Sequence, residues 1–184
     1  ISVETVAAYQ VAGRLDMLVF LPIFSIAASL TTLIGMFYGA KEYEALRFTI
    51  RYGIFSALII TIFSSAMVYI FADQVVRFFT EDESIVIIAV NFLQIFAFAY
   101  PFIAVGITTG RVLQGLGKGL PVLVITIVRV LGVSAPLSLF FIFVMDKSVE
   151  WVWYSMMLST VVAFAIGLTW LVSTVKKLPA KNTV

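Results

Sequence analysis

Residues 91–144, NFLQIFAFAYPFIAVGITTGRVLQGLGKGLPVLVITIVRVLGVSAPLSLFFIFV, hold two long apolar runs joined by the glycine-rich segment Gln114-Gly115-Leu116-Gly117-Lys118-Gly119. A run of more than about 18 apolar residues, wound at about 1.5 Å per residue, crosses a hydrocarbon layer of roughly 30 Å. Two such runs and a tight turn predict a helical hairpin that enters a bilayer and returns. Arg129, in the second run, is the anomaly: a guanidinium facing lipid costs several kcal/mol, so this side chain must face protein or water.

The rest of the chain repeats the theme. With 62% of 184 residues hydrophobic and 12% charged, there is too little polar surface to clothe a water-soluble domain of this size. A net charge of +2, with the basic residues at the ends of apolar segments instead of in one patch, argues against nucleic acid as a partner. The absence of cysteine and histidine excludes disulfides, thiol chemistry, imidazole bases and the usual zinc sites. The predicted fold is an all-α integral membrane bundle with five spans, at 17–38, 52–72, 84–110, 120–144 and 151–175.

Taken in order, residues 1–15 read as a water-facing approach carrying Glu4 and Arg14, with Asp16 at the edge of the first span. In that span Pro22, Ser25, Ser29 and Thr32 share one helix face, either a wetter face or one packed on another helix. Residues 39–47 form a charged, helix-prone connector. The second span carries Ser56, Thr61, Ser64 and Ser65 and looks structural. Residues 73–79 suit a helix end or a short interfacial piece, and Thr80 with Glu83 reads as a capping box.

In the third span Asn91, Gln94, Phe98, Pro101, Val105 and Thr108 fall on one face, and Pro101, which lacks an N–H, predicts a kink. In the fourth, Thr126, Arg129, Gly132 and Pro136 share the most polar stripe in the chain. Asp146, Lys147, Ser148 and Glu150 make an exterior turn, and Trp151, Trp153 and Tyr154 sit where an aromatic belt would anchor the fifth span. Five spans place Lys41, Arg47, Arg51, Arg111, Lys118, Lys176, Lys177 and Lys181 on one side and only Arg14, Arg77 and Lys147 on the other. By the positive-inside rule the first group, with the C-terminus, is cytoplasmic.

No enzyme constellation is legible, since every acidic residue lies at or outside a predicted membrane boundary. The glycines at 115, 117 and 119 match neither the dinucleotide nor the P-loop spacing and read as a tight turn. The residues left for function are Arg129, for an anionic ligand group, for pairing with a carboxylate elsewhere, or as a structural cation that snorkels or bonds carbonyls of neighbouring helices, and Asn91 and Gln94, as glue between helices or as a cavity wall.

The run Val6-Ala7-Ala8-Tyr9-Gln10-Val11 with Arg14 and Pro22, and the span end Ile34-Gly35-Met36-Phe37-Tyr38-Gly39-Ala40-Lys41, resemble the start of the second helix in the C-terminal half of multidrug and toxic compound extrusion (MATE) transporters. Pro101-Phe102, Leu113-Gln114-Gly115-Leu116-Gly117-Lys118 and Val128-Arg129-Val130 with Pro136 are similar to the tenth and eleventh helices of that family. The resemblance implies helices eight to twelve of a twelve-helix exporter, with helix seven and the N-terminal lobe, its partner in the same polypeptide, lying elsewhere. It implies residence in a plasma or inner membrane and export of small amphipathic substrates by alternating access, in exchange for H+ or Na+.

Some branches carry an acidic cation-site residue where this chain has Ile103. The chain is more similar to the DNA-damage-inducible branch, which implies no cofactor and a coupling-ion site in the N-terminal lobe. The expected cavity wall is Ser25, Ser29, Thr32, Asn91, Gln94 and Tyr100, with Arg129. The competing readings are a flippase for lipid-linked or polysaccharide precursors from the same superfamily, and a membrane scaffold that transports nothing.

Overall fold

In the computed structural model, which describes residues 3–146, 148 and 150–179, the described chain is helical throughout, with no strand. Lys147 and Lys181 lie outside the described residues. Helix α1 covers Val3–Gly39, α2 Tyr43–Arg77, α3 Glu83–Ala97 and α4 Tyr100–Gly115. A fourth rod, Leu120–Val144, comprises α5 (Leu120–Ile127), a π-helical segment Val128–Ser134, α6 (Ala135–Leu139) and a second π-helical segment Phe140–Val144; α7 (Glu150–Lys176) closes the bundle.

Four helices are long and apolar enough to cross a membrane, and α3 with α4 make a fifth when taken as one span bent by 57°. The helices therefore provide four spans, or the expected five with the bent pair counted as one, and the first two rods are longer than their apolar runs alone suggested. The second rod, at 35 residues, is roughly 52 Å long at about 1.5 Å per residue, well beyond the hydrocarbon layer.

Side-chain size is distributed as lipid requires. Along α2 the residues turned inward include Gly53, Ala57 and Thr61, while Phe48, Phe55, Ile59 and Phe63 point out. Lipid is as apolar as any core, so bulk is not driven inward and close helix approach is secured by small residues instead. Leu30 of α1 lies directly against Gly53.

The approach expected at residues 1–15 needs correction: from Val3 onward it is part of α1, and Ala8, Ala12 and Leu15 are buried in the main core with Phe92 and Trp153. Buried positions at 8, 12, 15, 23, 27, 30 and 34 form one continuous stripe, so packing extends the helix beyond its apolar run. Trp153 also leaves the expected belt: it is buried edge-on to Phe92 at 5.5 Å, while Trp151 and Tyr154 remain exposed.

The bend sits just ahead of Pro101, as the missing N–H predicts. A proline at position 101 leaves the Ala97 carbonyl without its helical donor, and the Ser65 hydroxyl of α2 donates to that oxygen. The capping box at Thr80 and Glu83 is not formed. Asp82 is the N-cap of α3, accepting from the amides of Ser84 and Ile85 at 2.9 and 3.4 Å. Glu83 instead takes both ends of the Arg77 guanidinium, at 2.7 and 3.1 Å, while Arg77 also bonds Asp73 at 2.9 Å. The shorter Asp82 side chain competes for the amides, and the arginine at the end of α2 draws Glu83 away.

Two turns at the other end of the bundle share one geometry. After α1, Lys41 adopts φ 59° and the Glu42 amide reaches back to the Phe37 carbonyl at 2.9 Å. After α4, Gly117 adopts φ 74° and Lys118 reaches the Leu113 carbonyl at 2.8 Å. Both are left-handed C-terminal caps of the Schellman type. At the same end Arg47 donates to the carbonyls of Leu178 and Pro179, at 3.1 and 2.9 Å, tying the segment after α7 to α2.

Candidate functional site

The residues expected to line one cavity are distributed over four places. Arg129 is half-buried on the π-helical segment and lines a cavity of about 380 Å³ bounded by α1, α4, the Leu120–Val144 rod and α7. Asn91 and Gln94 line a separate pocket, also about 380 Å³, with Tyr69, Phe98, Glu150 and Tyr154. Ser25 and Ser29 are on α1 and bond back to the carbonyls of Leu21 and Ser25 at 3.1 and 3.0 Å, and Thr32 is exposed on the same face. Tyr100 is completely buried, and its hydroxyl donates to the carboxylate of Asp16.

The physical reason for the dispersal is the bend. Asn91, Gln94 and Phe98 precede Pro101, and Val105 and Thr108 lie beyond it, so a face that is continuous at 3.6 residues per turn is redirected after Ala97. In this geometry Val105 and Thr108 are buried between helices, with the Thr108 hydroxyl bonded to the Ala104 carbonyl at 2.9 Å.

The cavity at Arg129 is built by absence as much as presence. Gly106 and Gly110 of α4 and Gly167 of α7 contribute no side chain, and Phe24, Phe102 and Phe164 supply apolar walls, the last two meeting edge-on at 5.3 Å. Its polar lining residues are Arg111, Gln114, Thr126, Arg129 and Thr160, and no carboxylate lines it among the described residues. Arg111 donates to the Gln114 amide oxygen at 3.3 Å. Such a mixture of apolar wall and few polar groups is the usual make-up of a small-molecule pocket.

Pro136 accounts for the unusual backbone of this wall. An α-helical register would press the proline ring against the Gly132 carbonyl; widening to i→i+5 bonding, as in the Ala135 amide to the Val130 carbonyl, relieves that contact. The wider turn also rotates the helix beyond it, so Thr126 and Arg129 line the cavity while Gly132 and Pro136 do not.

Sequence reasoning counts Arg111 only as a loop charge, reads Gln114 only as part of the glycine turn, and does not single out Thr160. Their signal is spacing, Arg111 and Gln114 being three apart on the turn that enters the glycine segment. Asp16, expected at the membrane edge, is carried by α1 inside a span of 35 residues running Thr5–Gly39. Among the described residues no cluster of three or more metal-ligating side chains is found.

Long apolar helices, bulky side chains turned outward, a broken span and polar-lined cavities between helices define a polytopic α-helical membrane protein. More particularly, residues 1–140 match the MatE family, and the chain belongs to it. It is 27% identical over 144 residues to a probable multidrug resistance protein NorM of Thermotoga maritima, covering 78% of this chain but 30% of that protein. It is also similar to a multidrug resistance MATE family transporter of the MOP superfamily in an inward-facing conformation, with a TM-score of 0.84 and 28% identity over 94% of this chain and 40% of that one. For an outward-facing conformation the TM-score is 0.83, again at 28% identity, over 94% of this chain and 39% of that one. The chain thus spans well under half the length of each of these relatives.

Proposed function

We propose that this chain is the C-terminal lobe, helices eight to twelve, of a twelve-helix antiporter that exports small amphipathic molecules across a plasma or inner membrane in exchange for H+ or Na+. The observation that carries this reading is its near-equal similarity to an inward-facing and an outward-facing relative, at 0.84 and 0.83. A lobe whose internal shape suits both states is what alternating access by rigid-body rocking requires. The name of the Thermotoga relative points to multidrug resistance as the physiological outcome. In this reading the coupling ion binds in the N-terminal lobe, as expected of the DNA-damage-inducible branch, and that lobe packs against the exposed face of α1 that carries Ser25, Ser29 and Thr32.

Efflux of ethidium from cells expressing the native full-length polypeptide tests the proposal. Export should collapse when the ion gradient is dissipated, and Asn91→Leu or Gln94→Leu should change its rate without loss of folded protein. Gradient-independent dye levels would refute ion-coupled export. Orientation is tested separately: the chain has no cysteine, so Lys118→Cys and Ser148→Cys can be labelled with an impermeant maleimide. Labelling of position 118 from outside intact cells would overturn a cytoplasmic glycine turn and C-terminus. The flippase reading is favoured by one feature, the presence of both Arg111 and Arg129 in the lining of one cavity. Bends and cavities count against a static scaffold, which needs neither.

A further inference from the structure

The cavity between α4, the Leu120–Val144 rod and α7 carries a charge that nothing in the described chain neutralises. Arg111, exposed and four residues before the end of α4, and Arg129, half-buried and nine residues beyond the start of α5, both line it. Among the described residues the ion pairs are those of Arg77 with Asp73 and Glu83, and neither cavity arginine meets a carboxylate. No hydrogen-bond partner of Arg129 is found among them either. A guanidinium at membrane depth is strongly disfavoured without a counter-charge, because the surrounding dielectric is low and water is scarce. Here a space of about 380 Å³ adjoins both arginines, walled by Phe24, Phe102 and Phe164.

We propose that this cavity binds an anionic amphiphile: an oxyanion head (carboxylate, sulfonate or phosphate) held by Arg111 and Arg129, with an aromatic or aliphatic body against the phenylalanines. The forked guanidinium suits a planar or tetrahedral oxyanion better than an ammonium would. The missing side chains at Gly106, Gly110 and Gly167 make room for the body, while the Thr126 and Thr160 hydroxyls donate to the Val122 and Met156 carbonyls of their own helices, at 2.9 and 3.0 Å, and leave the head to the arginines. The volume falls in the range of small-molecule pockets and suits a ligand of two or three rings. The π-helical turn bearing Arg129 is a backbone form that recurs at functional sites, and here it aims the arginine into the space. The inference deepens the transport reading by naming a substrate class for this site, although binding itself does not depend on transport.

The test uses the native full-length polypeptide in nanodiscs of phosphatidylcholine alone, with two fluorescent probes that share a dansyl group and differ in charge: dansylglycine and a dansyl-trimethylammonium. Dansylglycine should bind at least tenfold more tightly than the cation. Arg129→Gln and Arg111→Gln should each weaken it by tenfold or more, with Arg129→Lys recovering part of the loss and the cation unaffected or bound more tightly. Adding phosphatidylglycerol to the disc separates two sources of the same chemistry: displacement of the probe makes a lipid head group the occupant, and no displacement makes it a free organic anion.

Should the arginine variants fail to fold, a diazirine-bearing benzoate photolabel on the unaltered protein serves instead. It should mark peptides from residues 102–114, 122–129 and 160–167. Labelling elsewhere, equal affinity for the two dansyl probes, or no effect of a folded Arg129→Gln would overturn the proposal. Ethidium efflux measured in parallel keeps the two readings apart: efflux without anion binding removes this site and leaves the exporter, and anion binding without ethidium efflux keeps the site and counts against the exporter.

Discussion

Three glycines stand within five residues at the turn between α4 and α5, and the structure assigns each a different duty. A Cβ on Gly115 would lie 2.7 Å from the Thr31 carbonyl oxygen and 3.0 Å from Ile34 Cβ, both on α1. These are backbone and branch-point atoms, so no rotamer relieves the contact and the helices must separate. Overpacking of this kind costs about 1–3 kcal/mol, offset by the roughly 0.5–1 kcal/mol that alanine gains over glycine in a helix. Gly117 meets nothing within 4 Å but holds φ +74°, where a side chain costs about 1–2 kcal/mol. Gly119 has φ −79° and open space around it.

Gly115→Ala and Gly117→Ala should each therefore destabilise by about 1–2 kcal/mol, and Gly119→Ala should be neutral or slightly stabilising. Asparagine separates the two causes. It tolerates the left-handed region, so Gly117→Asn should recover most of the loss, while Gly115→Asn should be worse than alanine because the collision grows. The assay is the unfolding midpoint of the purified full-length protein in detergent, followed by tryptophan fluorescence. A shift of about 2–4 °C per kcal/mol is expected for a unit of this size. A Gly119→Ala loss as large as that of Gly115→Ala, or an asparagine rescue at 115 and not at 117, would refute the assignment of close approach to one glycine and backbone strain to the other.

Single contacts carry the other expectations. Ser65→Ala removes the donor that the Ala97 carbonyl receives in place of the Pro101 amide, and should destabilise by about 1–3 kcal/mol in the same thermal assay. Ser65→Thr, which keeps the hydroxyl, should lose less. Lys41→Gly relieves a left-handed residue at φ 59° and should stabilise by about 0.5–1 kcal/mol; a lowered midpoint would show that the lysine side chain matters more than its backbone. Tyr100→Phe leaves the Asp16 carboxylate without its phenolic donor and should cost about 1.5–3 kcal/mol, whereas the accompanying change Asp16→Asn, which removes the charge left unpaired, should soften that loss. Additive effects of the two substitutions would argue that the pair does not act as a unit.

What the sequence determined by itself was whatever depends on one segment and its solvent. Apolar runs long enough for a bilayer foretold an all-helical membrane bundle, because that requirement is met residue by residue along a single helix. Pro101 foretold a bend because the lost N–H is a property of proline wherever it stands. Glycine at 117 foretold a turn for the same kind of local reason.

Only the tertiary structure decided which faces meet. The separation of Asn91 and Gln94 from the cavity at Arg129 depends on a bend of 57°, and no helical wheel carries a face through such a break. Asp16 and Tyr100 stand 84 residues apart in the chain, and their bond exists because α1 crosses the start of α4. The role of Gly115 rests on the Thr31 carbonyl of another helix, and Trp153 became core because Phe92 lies beside it. A helix has one periodicity but several possible neighbours; its own sequence prescribes the first, and the second is settled only when all the helices pack together.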